Sequence, residues 1–334
     1  MKCLVTGAGG FIGGKISQRL VQEGHDIVTF QRGDYPELEN LGGRHLRGSI
    51  DQLELLTEAM NGVEAVFHVA ALAAISGPAE DFQQANVIGT RHVIEACLRN
   101  GVKRLIFTSS PSVVFAGTDQ NGIDESEPYP QHYLADYPRT KAIAEAEVLA
   151  ANSEDLSTIS IRPHLVWGPG DRHLYPRIIE RAGQGRLKLV RRPGMKIDAC
   201  YIDNAVDAHL CALHRLDSHP QCRGKAYFIS NGEPTAPEDL INQFLSCAGM
   251  KPIQPTIPPA VAHFAGWLIE GFYRMPFFSG EPPITRFVAH QQSTSHWFDL
   301  AAAKRDLGWS PAVTTDQGME ILRDHHSVQE SVSS

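Results

Sequence analysis

The chain has 334 residues, of which 42% are apolar and 20% charged, and its formal net charge is −8. This length is ample for a buried core, and the composition is that of an ordinary globular protein. Phosphate backbones are bound by clustered Lys and Arg, so the acidic balance argues against nucleic acid as a partner. We therefore expect an enzyme that does not act on nucleic acids.

The first apolar run and the cysteines favour a cytoplasmic protein. Residues 3–5 lead straight into a glycine-rich stretch, and this run is too short for the hydrophobic region of a signal peptide. The six cysteines contain no CxxC pair, which argues against a zinc site or a redox motif, so we expect no metal and buried thiols: Cys3, Cys97, Cys200, Cys211, Cys222 and Cys247.

Up to residue 161, short β-branched apolar runs alternate with helical patterns. The runs predict strands at 3–6, 26–31, 45–47, 65–69, 104–108 and 157–161. Helices are expected at 13–23, 52–60, 82–99 and 138–152. This alternation predicts an α/β fold of the Rossmann type, a doubly wound parallel sheet with its ligand at the carboxyl ends of the strands.

After Arg162 the regular alternation weakens and Gly and Pro recur. We predict a dinucleotide-binding domain at 1–162 and a smaller, partly interleaved C-terminal substrate lobe at 163–330, with a strand at 225–230 that returns to the main sheet.

The segment from Pro258 to Phe278 is rich in apolar and aromatic residues. Three interpretations stay open for it: a lid or channel for long acyl chains, the core of the lobe, or a contact with a bilayer surface. Charged residues and a proline interrupt the segment, so it cannot supply the roughly 20 apolar residues of a membrane span.

A glycine motif follows the first predicted strand. Gly7, Gly10 and Gly13 stand at GxxGxxG spacing before a predicted helix, and Phe11 and Ile12 within the motif are further candidate cofactor contacts. Glycines are needed there because side chains would block the tight turn, the approach of the backbone to a pyrophosphate, and the packing of helix on strand. Free N–H groups at the helix N-terminus would then face the phosphate charge.

The residue after the second strand indicates which cofactor is bound. A carboxylate there would accept hydrogen bonds from the ribose of NAD, whereas a cation favours the 2′-phosphate of NADP. The chain has Gln31 and Arg32 at this point, which favours NADP(H) with Arg32 as the phosphate ligand. Asp34 lies close enough to keep NAD(H) as the alternative.

Tyr137 and Lys141 are the candidate catalytic pair. Four residues apart, they share one face of a helix that Pro138 can begin. A phenol titrates near pH ~10, and a neighbouring ammonium would lower that pKa toward the range needed for acid-base catalysis. Ser110, at the end of a predicted strand, can hydrogen-bond the substrate oxygen beside Tyr137, with Ser112 as the fallback.

These motifs together resemble the extended short-chain dehydrogenase/reductase family over nearly the whole chain. The motifs that carry the resemblance are the stretches 6–13, 68–71, 86–90, 108–110, 137–141, 162–170, 201–205 and 307–311. The resemblance implies further cofactor contacts at Ile50, Ala70, Ala71, Thr108 and Pro163, and it implies that Asn86 supports the active site from the central helix. One departure is Gly48-Ser49-Ile50, where relatives often carry Gly-Asp-hydrophobic and the Asp contacts the adenine.

Within this family the chain is most similar to the 3β-hydroxysteroid dehydrogenase branch, on Tyr137 to Lys141 and the stretch 162–171. The stretches 30–38, 140–145, 225–234 and 283–287 further resemble bacterial reductases of 2-alkyl-3-oxoalkanoic acids in long-chain olefin biosynthesis. That likeness implies NADPH-dependent reduction of a long-chain 3-oxo acid to the 3-hydroxy acid. It also implies association with pathway enzymes such as a β-lactone synthetase, and we expect a homodimer.

Three rival functions remain. A 3β-hydroxysteroid or sterol-4-carboxylate 3-dehydrogenase would share every catalytic residue and differ in pocket shape. A nucleotide-sugar epimerase or dehydratase would favour an acid where Gln31 and Arg32 stand. A non-catalytic NADP-binding sensor would not need Ser110, Tyr137 and Lys141 together.

Overall fold

The computed structural model describes residues 1–273 and 282–333. Its strands are β1 Lys2–Thr6, β2 Asp26–Gln31, β3 Arg44–Arg47, β4 Ala65–His68, β5 Arg104–Thr108, β6 Gln120–Ile123, β7 Ser157–Pro163, β8 Val166–Trp167, β9 Cys200–Tyr201, β10 Lys225–Ile229 and β11 His296–Phe298. Its α-helices are α1 Phe11–Gln22, α2 Pro36–Glu39, α3 Leu53–Ala59, α4 Ala79–Phe82, α5 Gly89–Asn100, α6 Asp136–Ala150, α7 Tyr175–Gly183, α8 Ile202–Ser218, α9 Pro237–Cys247, α10 Pro259–Tyr273, α11 Arg286–Gln291 and α12 Thr315–Ser333.

Seven strands form one parallel sheet in the order β10-β7-β5-β4-β1-β2-β3. The chain builds outward from β1 in one direction and then from β4 in the other, so the order reverses between these two strands. A reversal of this kind opens a crevice at the carboxyl ends of the strands, where doubly wound proteins bind their ligands. The predicted fold class is therefore confirmed.

Helices cover both faces of the sheet. Along β1, Cys3 and Val5 belong to the apolar cluster that includes α8, whereas Leu4 belongs to the cluster that includes α3 and α5. All three side chains have no exposed surface. Burial on both faces explains why this strand reads as a continuous apolar run rather than an alternating one.

The predicted strands agree with the observed ones to within two residues at each end. The strand expected at 225–230 is β10, and it pairs in parallel with β7, so it does return to the main sheet. The division at residue 162 stays a prediction. The helix expected at 82–99 is not continuous, because a π-helical turn at Gln83–Ile88 separates α4 from α5.

The apolar segment from Pro258 to Phe278 contains α10, which ends at Tyr273, and its last five residues lie outside the described residues. Phe264 and Trp267 are 61% and 59% exposed, so these two aromatic side chains do not form the core of a lobe. Within the described ranges, no helix combines the length and hydropathy that crossing a membrane requires.

Candidate active site

The glycine motif forms the loop between β1 and α1, and its close contacts require glycine. Gly7 has a φ of +70°, and a Cβ on it would lie 2.9 Å from the backbone of Ala70. A Cβ on Gly13 would lie 2.4 Å from the carbonyl oxygen of Gly7. Gly10 caps α1 in an extended conformation, and no side chain of the described part of the chain caps this helix. The loop and the helix N-terminus therefore fit a pyrophosphate.

A buried hydrogen-bond network holds this loop against β4. Thr6 Oγ1 accepts hydrogen bonds from the backbone N–H groups of Val69 and Ala70, at 3.1 and 3.2 Å, and donates to Nδ1 of His68, at 2.8 Å. His68 Nε2 then donates to Thr90 Oγ1 at 2.9 Å. Burial lowers the pKa of His68 to about 3, so the ring is neutral and keeps this one tautomer.

The network ends at the π-helical turn. Thr90 Oγ1 donates to the carbonyl oxygen of Asn86 at 2.6 Å. The Asn86 side chain accepts from the N–H of Leu72 at 2.7 Å and donates to Thr140 Oγ1 at 3.0 Å. Asn86 thus links α6, which carries Tyr137, to the segment that follows β4. These contacts fit the supporting role implied by the resemblance, which stays a prediction.

The ends of β2 and β3 bring the Arg47 side chain to the backbone of Arg32. Arg32 is exposed directly after β2, and Arg47 Nε donates to its carbonyl oxygen at 3.0 Å. Arg47 was not singled out from the sequence, because its proximity depends on the pairing of β2 with β3. Ile50 is only 9% exposed and packs against Gly89, so it offers little surface to a ligand.

Tyr137 lies in the first turn of α6, which begins at Asp136 rather than at Pro138. The surrounding protein desolvates the half-buried side chain and raises the pKa of its phenol, and a hydrogen bond with Ser110 opposes that rise. Ser110 Oγ accepts from the N–H and the hydroxyl of Ser112, at 3.2 and 2.9 Å. Because Ser112 donates both bonds, the Ser110 proton is available to Tyr137 or to a substrate oxygen.

Lys141 is 2% exposed and donates from Nζ to the carbonyl oxygen of Thr108 at 2.6 Å. Burial lowers the pKa of Lys141 to about 7. The expectation that this ammonium lowers the pKa of Tyr137 is wrong for this structure, because both groups are desolvated and Lys141 is directed to Thr108. Nε2 of His209 accepts a hydrogen bond from Thr108 Oγ1 at 2.8 Å. This bond holds Thr108 in place, and the carbonyl oxygen of Thr108 is the acceptor for Lys141.

A buried ion pair supports the helix one turn beyond Lys141. Glu145 and Arg162 are 0% and 4% exposed in their side chains, and their closest N and O atoms are 2.6 Å apart. Burial acts to raise the pKa of Glu145, but the charge and hydrogen bonds of Arg162 hold that pKa below its ordinary value. The Glu145 carboxylate in turn opposes the loss of charge on Lys141. Sequence spacing gave no indication of this pair.

The strand that ends at Pro163 leads into a strained turn. Leu165 has a φ of +44°, the single positive φ outside glycine within the described residues. A branched side chain in this region costs about 1–3 kcal/mol and persists only where the surroundings fix it. Leu165 lines an apolar cavity of about 370 Å³ between α7 and α9. The turn therefore connects the end of β7 to a pocket suited to hydrocarbon.

The predicted site residues converge on one edge of the sheet. The ends of β1, β4, β5 and β7 lie side by side, because these strands are neighbours in parallel. This edge carries most of the predicted set: Gly7, Gly10, Phe11, Ile12, Gly13, Ala70, Ala71, Thr108, Ser110 and Pro163. Tyr137 and Lys141 face it from α6.

Comparisons with known proteins agree with this architecture. Residues 4–258 match the 3-beta hydroxysteroid dehydrogenase/isomerase family. A 2-alkyl-3-oxoalkanoate reductase of Stenotrophomonas maltophilia is 44% identical over 97% of this chain and 98% of that protein. A reductase of the same name from Shewanella oneidensis is 44% identical over 96% of this chain and 84% of its own length.

Among solved structures, UDP-glucuronic acid 4-epimerase from Bacillus cereus in complex with NAD has a TM-score of 0.76 at 20% identity. The match covers 98% of this chain and 99% of that one, and at this identity it shows the fold alone. The family match spans most of the chain, and the two reductases are similar along nearly all of it. The chain therefore belongs to the 3-beta hydroxysteroid dehydrogenase/isomerase family and is an oxidoreductase.

Proposed function

We propose that this protein reduces the ketone of a long-chain 2-alkyl-3-oxoalkanoic acid to the 3-hydroxy acid with NADPH. One observation carries the proposal: Tyr137 and Ser110 share a hydrogen bond at the sheet edge, and Leu165, just after the neighbouring strand β7, lines an apolar cavity. The names of the two reductases that are 44% identical to this chain support the substrate class.

Tyr137 and Ser110 would act on the substrate oxygen. The bound nicotinamide would supply the hydride to the carbonyl carbon. Ser110 donates a hydrogen bond to the carbonyl oxygen and holds it in place, and Tyr137 gives its proton to that oxygen as negative charge develops. The raised pKa of Tyr137 keeps the phenol protonated before the reaction, which suits the reductive direction.

Lys141 would bind the cofactor through hydrogen bonds to its ribose. In the structure its Nζ is directed at Thr108 O, beside the strand edge where a nicotinamide ribose would lie. Its pKa of about 7 means that small changes in its surroundings alter its charge near neutral pH. The Glu145 carboxylate favours the charged form, which can donate hydrogen bonds to ribose hydroxyls.

The preference for NADPH rests on Arg32 and Arg47. Arg32 directly follows β2 and Arg47 ends β3, and the Arg47 guanidinium donates to the carbonyl oxygen of Arg32. Two cations at this place favour a 2′-phosphate, whereas the ribose of NAD is usually held by a carboxylate. Asp34 is the nearest acid in sequence, and NAD(H) remains the competing cofactor in the assay below.

The apolar cavity would receive an alkyl branch of the substrate. It is lined by apolar side chains of four segments, among them Leu165, Ile178, Leu189, Leu240 and Phe244. Burying one methylene contributes about 0.8 kcal/mol, so each carbon that enters should raise kcat/KM about fourfold until the cavity is filled. We propose further that the hydroxy acid passes to a β-lactone-forming synthetase, and that the chain acts as a cytoplasmic homodimer.

A second candidate is a 3β-hydroxysteroid or sterol-4-carboxylate dehydrogenase, which the family match favours. The test is to follow nicotinamide absorbance with purified protein, NADPH or NADH, and three substrate types: 2-alkyl-3-oxo acids of increasing length, 3-oxosteroids and nucleotide sugars. The proposal expects fastest turnover with NADPH and the long-chain 3-oxo acids. Faster turnover of steroids would replace it with the second candidate.

A further inference from the structure

Helix α10 presents an apolar face to solvent. Five of its side chains are between 39% and 61% exposed: Val261, Phe264, Trp267, Leu268 and Phe272. At about 100° per residue these positions fall within one side of the helix, and the opposite side carries the buried Ala262 and Gly266. A contiguous group of large apolar side chains on a surface marks an interaction site.

The other side of α10 packs tightly against the protein. A Cβ on Gly266 would lie 2.8 Å from the carbonyl oxygen of Thr285, so the helix packs closely on the start of α11. Glu270 forms an ion pair with Arg286 at 2.8 Å. The exposed face is therefore held in place by the opposite side of the same helix.

The segments next to the start of α10 are rich in cations, one of which, Arg192, is paired with Asp119. The segments 177–196 and 251–273 together contain eight Lys and Arg against two Glu, in a chain whose net charge is −8. Residue 190 forms a parallel bridge with Ile257, just before α10, and the N–H of Arg191 donates to Ile257 O at 2.8 Å. Lys188 and Arg191 are exposed, and neither forms an ion pair within the described part of the chain.

A cavity leads from α10 toward the catalytic helix. It has a volume of about 500 Å³, and Glu270 and Tyr273 of α10 are among its lining residues. Its lining also includes Ala135 and Asp136, the residues directly before Tyr137. The cavity therefore lies between the packed side of α10 and the residues that precede the catalytic tyrosine.

We propose that α10 lies in the surface of an anionic lipid bilayer, with its apolar face in the acyl region and the basic segment 177–196 against the headgroups. Amphipathic helices bind membranes in this way when an apolar face is combined with neighbouring cations. A two-fold dimer through this face would bring the basic segments of both copies together, so the basic surroundings favour anionic lipid over a second copy. Docking would bring the bilayer to the helix whose packed side borders the 500 Å³ cavity.

The test is cosedimentation of the full chain with vesicles of phosphatidylcholine, alone or mixed with phosphatidylglycerol. We expect binding to the anionic vesicles that weakens as salt is added. Emission from Trp267 should shift to shorter wavelength on binding, because the other described tryptophans, Trp167, Trp297 and Trp309, are buried or half-buried. Trp267→Phe should abolish this shift while binding persists.

Two double variants separate the apolar and the charged contributions. Phe264→Ser with Trp267→Ser should lower vesicle binding at least ~tenfold. Lys188→Glu with Arg191→Glu should lower it ~25-fold or more, since each cation contributes about a fivefold gain. Leu98→Ser is the matched control, because Leu98 is 51% exposed on α5 and lies outside this surface.

Vesicle binding requires neither cofactor nor turnover, so its failure and the failure of the proposed reaction are distinguishable. Equal binding to both vesicle types would overturn the role of the basic segment. Absence of vesicle binding, with a dimer that the Phe264→Ser and Trp267→Ser double variant dissociates in gel filtration, would assign the face to a second copy. Absence of both would overturn the proposal outright.

Discussion

Replacing Lys141 with methionine should stabilise the protein while it removes activity. The Lys141 pKa is lowered from 10.5 to about 7 because the side chain is buried. At about 1.4 kcal/mol per unit, holding the charged form in this site costs on the order of 5 kcal/mol below pH 7. Losing the hydrogen bond to Thr108 offsets about 1–2 kcal/mol. We expect a net gain of roughly 3 kcal/mol in the free energy of unfolding.

The gain should depend on pH in a defined direction. The folded-state pKa of Lys141 lies below the unfolded one, so between pH 7 and 10.5 the unfolded chain binds more protons. Stability of the wild-type protein therefore rises with pH in this window through Lys141, and the Lys141→Met variant lacks that rise. The advantage of the variant should shrink by up to about 1.4 kcal/mol per pH unit above pH ~7.

Urea unfolding of both proteins without cofactor, at about pH 6.5 and about pH 9, measures this difference. Lys103→Met is the control, because its side chain is 59% exposed and the change should stay within about 0.5 kcal/mol. A Lys141→Met variant that is no more stable than wild type at the lower pH, or an advantage independent of pH, would refute the reasoning.

Three further changes test the cofactor site, the oxygen-binding hydroxyl and the cavity. Arg32→Asp should lower the ratio of kcat/KM for NADPH over NADH at least ~tenfold, and an unchanged ratio would show that Arg32 does not contact the 2′-phosphate. Ser110→Ala should lower kcat ~100-fold and Ser112→Ala much less, and the reverse order would assign the substrate contact to Ser112. Leu240→Trp should reduce kcat/KM for long alkyl substrates more than for short ones, whereas equal losses would place the alkyl branch elsewhere.

The sheet and the glycine loop could be predicted because their causes are local. Buried parallel strands appear as apolar runs, and the tight contacts of Gly7 and Gly13 leave no room for a side chain. The returning strand β10 was predictable from its apolar run, but its pairing with β7 is a property of the folded chain. Tyr137 and Lys141 share a helix face, which follows from their spacing alone.

The hydrogen-bond network of the site could not be predicted in the same way. Thr6, His68 and Thr90 are separated by 62 and 22 positions, and only the sheet brings them together. The Thr90 hydroxyl donates a hydrogen bond to the backbone carbonyl oxygen of Asn86 in the π-helical turn. The sequence pattern predicts a continuous helix at this place.

The pKa of Tyr137 was predicted in the wrong direction for a related reason. Helical spacing indicates which groups are neighbours, but it does not show that both are desolvated. Burial raises the phenol pKa and lowers that of Lys141, and neither effect can be read from spacing. Likewise, hydropathy alone does not show that Phe264 and Trp267 face solvent.

The central claim is that Tyr137 transfers the proton to the substrate oxygen. The direct measurement is turnover and NADPH affinity of Tyr137→Phe, with the wild-type protein alongside. The account predicts that kcat falls at least ~1,000-fold while the Kd for NADPH stays within about threefold, because the variant lacks only the phenolic oxygen. Turnover at the wild-type rate would contradict the proposed mechanism.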